Sequence, residues 1–182
     1  MLEPTHFTPD QVDVFKVGEM KTRGKWCHFF TDDYRFQNVW NAYDKYHEQL
    51  SYYDGVITPD YSMYSDMPLA MQIWNCYRNR VLAYYMQKRG LKIIPCVSWS
   101  TPDTFEWCFD GIPKGCTVAV STNGCLSPNN RAGYIDGMEA LDSIIRPDKI
   151  IVVGKPIEVD VRAELIYYKS EYQKMEEMKH GR

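Results

Sequence analysis

Three carboxylates stand directly after short apolar runs: Asp32 and Asp33 after Cys27-His28-Phe29-Phe30, and Asp60 after Gly55-Val56-Ile57-Thr58-Pro59. Carboxylates carried by neighbouring strands can share Mg²⁺, a hard cation that takes oxygen ligands and keeps several waters, and Asp32 and Asp60 are the candidate ligands. The same residues also suit helix capping and turn formation. Ser121-Thr122-Asn123-Gly124 supplies hydroxyls, an amide and a pliable backbone after another apolar run, a composition that can cradle an anion with backbone N–H groups. A plain strand-to-helix turn explains the same four residues, and neither GxxxxGK[ST] nor GxGxxG is present. Arg78 and Arg80 lie within a helical stretch, about 200° apart around its axis, so they cannot share one narrow stripe. One of them suits bidentate phosphate recognition or a salt bridge; the other is expected to face solvent. Trp99, between Ser98 and Ser100, offers a wall for a planar ligand, a packing residue or an interface anchor. The expected ligand-lining set is Asp32, Asp60, Arg78, Trp99, Ser121, Thr122 and Asn123.

Zinc and covalent chemistry are poorly supported. His6, His28, His47 and His180 are scattered without paired ligand spacing, and Cys27-His28 in a strand would point to opposite sides. A Cys-His nucleophilic pair would need distant residues to meet, with Cys108 or Cys125 as the thiol, and no GxSxG elbow occurs.

Five apolar runs position these residues: Cys27–Phe30, Gly55–Ile57, Leu91–Val97, Thr117–Val120 and Lys149–Val153. Each ends in a small polar cluster, and helix-length segments separate them. The alternation predicts an α/β fold with a mostly parallel five-stranded sheet and helices on both faces. Flavodoxin-like strand order and an incomplete barrel both satisfy it. In either case ligands bind beyond the carboxyl ends of the strands, where all the polar clusters gather. One helix is expected from Phe36 to Leu50. A second, from Pro68 to Gly90, has a stripe of Met71, Trp74, Tyr77 or Arg78, Val81, Leu82 and Tyr85. Residues 1–24, with Pro4, Pro9, Gly18 and Gly24, read as an extended arm, and 25–157 as the α/β domain. Residues 158–182 read as a C-terminal amphipathic helix, with Leu165, Tyr168, Tyr172 and Met175 on one face for docking or self-association.

With 182 residues, 45% hydrophobic and 14% aromatic, the chain is long and apolar enough for one cored domain and is not of the disordered class. A formal net charge of −3 disfavours generic nucleic-acid binding. No segment has the length of a membrane span or the pattern of a signal peptide, so a cytoplasmic location is expected. The six cysteines form no CxxC pair, and reduced, packed thiols are expected.

The chain resembles an uncharacterised domain-of-unknown-function family found in phages and mobile elements of Gram-positive bacteria. The resemblance runs from about Phe29 to Gly154. It is carried by Val56-Ile57-Thr58-Pro59-Asp60, Tyr77-Arg78-Asn79-Arg80, Ile94-Pro95-Cys96-Val97-Ser98-Trp99, Gly111-Ile112-Pro113-Lys114 and Val118-Ala119-Val120-Ser121-Thr122-Asn123-Gly124. It implies an origin and no established activity. From the residues, the leading expectation is a small cytosolic protein that binds a phosphate-bearing ligand, with a nucleotide as the favoured class. A module that docks on and modulates a host protein, motivated by 14 tyrosines, and a Mg²⁺-dependent hydrolase are the alternatives.

Overall fold

The computed structural model describes residues 1–19 and 23–180; Met20 to Thr22, within the expected arm, and the last two residues lie outside the described set. Among the described residues there are seven strands: β1 (Val12–Val14), β2 (Trp26–His28), β3 (Gly55–Ile57), β4 (Ile93–Ile94), β5 (Val118–Ser121), β6 (Lys149–Val153) and β7 (Glu164–Tyr168). Every pairing is parallel, in a four-stranded sheet of order β1-β2-β3-β4 and a three-stranded sheet of order β5-β6-β7. A single parallel bridge, Cys96 to Ala119, joins the two. The helices are α1 (Gln37–Asn41), α2 (Tyr43–Ser51), α3 (Leu69–Lys88), α4 (Pro128–Ile144) and α5 (Glu171–His180). The expected helix over 36–50 is broken at Ala42, whose non-helical backbone separates α1 from α2.

The expected single five-stranded sheet is instead two parallel sheets, of four and three strands, because β1 and β7 add an edge strand on either side. Strand order follows chain order, so the flavodoxin-like order is absent, and the two sheets share one apolar interior. Alternation along the strands shows this directly. Val12, Trp26, Ile57, Ile94, Ala119, Ile151 and Val153 share one buried cluster, with Ile166 and Tyr168 packed against it. All seven strands contribute to this cluster and no helix does. Their neighbours Cys27, Val56, Ile93, Val118, Val120, Ile150 and Val152 face the other way, into the cluster built with Val39, Leu50, Leu82, Met86, Met138 and Leu141 of the helices. Helices therefore cover one face only, the outer one, and side chains fill the inner one as in a small parallel barrel. No backbone ladder joins β1 to β7 among the described residues; Tyr168 Oη donates to Pro9 O, and Lys174 Nζ reaches Val12 O at 3.0 Å and Asp13 at 3.1 Å across that seam.

Two segments depart from their sequence reading. The arm holds β1, and its first residues close the amino end of the barrel: Thr117 N donates to Thr5 O, and Phe7 packs on Trp26 at 5.3 Å. Gly55 is required opposite that ring, because a Cβ there would lie 2.5 Å from Trp26. The expected tail helix is a strand followed by a helix. Leu165 and Tyr168 lie in β7, which pairs with β6 from Glu164 to Tyr168, and only Tyr172 and Met175 of the expected face lie on α5. Both of these are exposed, so this helix face is not docked on the domain. Truncation after residue 160 should therefore abolish cooperative folding, because it strips a partner from β6. Truncation after Ser170 should leave a folded domain, less stable by the order of 1 kcal/mol for the lost Lys174 contacts. Thermal melts of the two truncations check this.

Candidate functional site

The carboxyl ends of all strands lie at one end of the barrel, and the loops there carry the polar clusters. Strand β4 is short because Pro95 has no N–H for the ladder. The chain after it is held by other means. Cys96 N donates to Thr58 Oγ1 at 2.8 Å, Ala119 N to Pro95 O at 2.8 Å, and Val97 N to Ala119 O at 2.9 Å. From outside, Asn79 and Arg80 of α3 both donate to Cys96 O.

This irregular crossing places Cys96 beside Asp60. Cys96 Sγ donates to Asp60 Oδ1 at 3.4 Å, and Ser98 also hydrogen-bonds the carboxyl. Burial raises the Asp60 pKa to about 7, helped by the Asp33 charge and opposed by the bonds from Cys96 and Ser98. No cation contacts it. Burial, and then the Asp60 charge, also push Cys125 up to about 11 and Cys96 well above the ordinary thiol value. These thiols are protonated packing groups at neutral pH, not activated nucleophiles.

The Ser121 cluster borders the same mouth. Ser121 Oγ donates to Val153 O at 3.1 Å and accepts from Asn123 N at 3.1 Å, while Asn123 Nδ2 reaches Phe30 O at 3.3 Å. Thr122 is buried against Gly154, where a Cβ would lie 2.1 Å from its Oγ1, and that hydroxyl has no partner. Inside the barrel, His28 accepts from Phe30 N at Nδ1, which places its proton on an unpartnered, buried Nε2.

Arg78 sits behind the loop after β3. Its guanidinium lies 3.6 Å from the centre of the Tyr61 ring, Nη1 donates to Gln37 at 2.8 Å, Nη2 donates to Asn75, and Nε has no partner. Asp33, the carboxylate whose field reaches it, is engaged by the backbone N and Oγ of Ser62. Arg80, expected at the surface, instead donates to the carbonyls of Cys96, Cys108 and Asp110 and to Asn79 Oδ1. It clamps α3 to the loop of the short 3₁₀ turn Pro102–Glu106.

Of the expected lining residues, Asp60, Ser121, Thr122 and Asn123 thus surround the mouth, and Arg78 stands behind it. Asp32 does not join them: it is exposed and pairs with Arg35 at 3.2 Å. Trp99 turns its indole outward onto α4, donating to Gly133 O at 3.0 Å and filling the space left by Gly137. The residues do not assemble the expected Mg²⁺ site, since Asp32 pairs with Arg35 while Asp60 is enclosed by Cys96 and Ser98, so the two carboxylates are not presented together. No group of three metal-ligating side chains occurs among the described residues. Sequence reasoning passed over Cys96 and Ser98. Their signal was the alternation Ile94, Cys96, Ser98, which puts all three on the inward face.

Residues 1–170 match the family described as Domain of unknown function (DUF4417). The chain belongs to this family. It is similar to the Gene 1 protein of Mycobacterium phage L5, 35% identical over 85% of this chain and 69% of that one. The Gene 1 protein of Mycobacterium phage D29 is likewise 35% identical, over 85% of this chain and 59% of its own. The chain thus spans between about three-fifths and seven-tenths of these DUF4417 relatives. No solved structure matches it. The family match includes every strand and the whole mouth and ends before α5. No helix among the described residues is long and apolar enough to cross a membrane.

Proposed function

We propose that this DUF4417 chain is a phage-encoded cytosolic protein that binds a phosphate-bearing ligand, a nucleotide by class, at the carboxyl-end mouth of its parallel strands. The observation that carries the reading is Arg78: a buried guanidinium whose contacts are all neutral, with an unpartnered Nε–H beside the loop that bears Asp60. A buried charge without a counter-ion in contact is costly, and an anion would relieve it through charge-assisted bonds. The Thr122 hydroxyl and the second N–H of the Asn123 amide supply further donors, and the Asp60 carboxyl, in its protonated form, can both donate to and accept from a base.

A ligand that binds the folded state alone raises its stability, so a thermal-shift panel of nucleotides and inorganic phosphate tests the reading. At least one nucleotide should raise the melting temperature. Arg78→Met should weaken that binding by about tenfold or more, as expected for a lost charged hydrogen bond, whereas Asp32→Ala should leave it unchanged. A panel without any shift overturns the proposal, and so does equal binding by Arg78→Met. Exposed aromatic side chains favour a second reading, a module that docks on a host protein.

A further inference from the structure

Helix α3 has its polarity reversed. Its inward arc in the first half buries Gln72, Asn75, Arg78 and Asn79, while Leu82, Ala83 and Met86 are buried in the second half. The apolar stripe that should mark a core-facing surface lies outside. Trp74 is 47% exposed, Tyr77 53%, Tyr84 45% and Tyr85 50%, with Ile73, Met71 and Leu69 extending the surface toward the amino end. Successive 100° steps place Ile73, Trp74, Tyr77, Val81, Tyr84 and Tyr85 within one third of the helix circumference. The rings are already ordered among themselves: Trp74 stacks on Tyr77 at 5.6 Å, and Trp40 of α1 meets Trp74 edge-on at 5.4 Å.

We propose that this face is the interface between two copies of the chain, with α3 packed antiparallel on the partner's α3 about a two-fold axis. Area supports it: seven large side chains near half exposure, at about 200 Å² each, offer roughly 700 Å². A standard interface buries about 800 Å² per partner. Charge supports it too. No charged side chain of α3 is exposed between Leu69 and Tyr85. Lys88, one turn further on, lies 5.5 Å over the Tyr84 ring and is paired with Glu3 at 3.3 Å, so the face carries little net charge to select an oppositely charged protein. A neutral surface is complementary to itself, as an isologous contact requires. Antiparallel packing also keeps the two exposed Asp66 carboxylates, just before each α3, at opposite ends of the contact, whereas parallel packing would bring these like charges together. The polar inner arc follows from the same arrangement. It serves the loops of the mouth, hydrogen-bonding Pro59, Ser62 and Met67 carbonyls, and leaves the apolar residues for the outer contact.

Sedimentation velocity and light scattering on the full chain should give a dimer at micromolar concentration. Tyr77→Lys and Tyr84→Lys, at half-exposed positions, should each weaken dimerisation about 30-fold or more, the size of a hot-spot truncation. Tyr172→Lys on exposed α5 should not. Acrylamide quenching of the unmodified protein should rise on dilution as Trp74 becomes accessible, a readout that needs no variant to fold. A monomer at every concentration overturns the proposal, including when the face captures another protein. A dimer that survives both α3 substitutions, or that Tyr172→Lys disrupts, overturns it as well.

Discussion

Asp60→Asn is expected to stabilise the protein above neutral pH and to change little near pH 4. The Asp60 carboxyl has a pKa of about 7 when folded, against an ordinary value of 3.8, because burial disfavours its charge. Between those values the folded state holds a proton that the unfolded chain has released, so stability falls as pH rises through that window. Three units at about 1.4 kcal/mol each make the full effect of the order of 4 kcal/mol. Asparagine keeps an acceptor for Cys96 Sγ and carries no charge to desolvate. His28 works in the opposite direction. Burial lowers its pKa from 6.5 to about 3, so the folded state refuses a proton that the unfolded chain accepts. Its contribution is present above pH 6.5 and is lost as pH falls toward 3. The two slopes oppose one another from about pH 4 to 6.5, which makes the unmodified protein nearly pH-insensitive there. In Asp60→Asn only the His28 slope remains, so stability should climb over that interval and then level off. Denaturant titrations from about pH 4 to about pH 8 measure both profiles. Superimposable curves would mean that Asp60 titrates as an ordinary surface carboxylate.

Gly137→Ala is expected to be the most damaging single-methyl change on α4. The added carbon would lie 1.9 Å from Trp99 Nε1 and 2.0 Å from Cε2, far inside van der Waals contact. The near neighbour is a rigid indole, so no flexible chain end can yield. Trp99 must leave its groove, giving up the hydrogen bond to Gly133 O and its packing on Tyr134 and Phe109. Overpacking costs about 1–3 kcal/mol or more, and the lost bond adds roughly 1 kcal/mol. At about 2–4 °C per kcal/mol for a chain of this size, the melting temperature should drop by about 10 °C. Gly133, one turn earlier, has open space within 4 Å of where a Cβ would stand. Gly133→Ala should therefore gain up to about 1 kcal/mol of helix propensity. Trp99→Phe should recover part of the loss in the Gly137→Ala background, since a smaller ring vacates the clash. Differential scanning calorimetry of the unmodified protein, the two single variants and the double variant closes the cycle, and additive effects would show that the two positions do not meet. Ser98 adjoins Trp99 and bonds Asp60, so Gly137→Ala should also move the pH profile of the mouth toward that of an ordinary carboxylate.

Local signals in the sequence were enough for the α/β class, for parallel pairing and for the end of the strands at which polar residues collect. Apolar runs of strand length separated by helical spacing point to parallel strands with crossovers, and Gly90 marks the end of α3 through its own backbone chemistry. The family was legible as well, because its motifs are contiguous stretches. Tertiary structure alone decided the strand count, the division into two sheets and which polar residues meet at the mouth. Val12–Val14 is too short to announce itself, and Leu165 and Tyr168, three residues apart, share a helix face but lie on opposite faces of β7; pairing with β2 and β6 settles both. The stripe of Met71, Trp74, Tyr77 and Tyr85 carries a helical period but no sign, and only the packed loops beneath α3 show that its polar arc faces inward. The altered acidity of Asp60 depends on enclosure by Cys96 and Ser98, 36 and 38 residues away along the chain. Periodicity is a property of neighbours in sequence, whereas enclosure and desolvation arise only when distant segments meet.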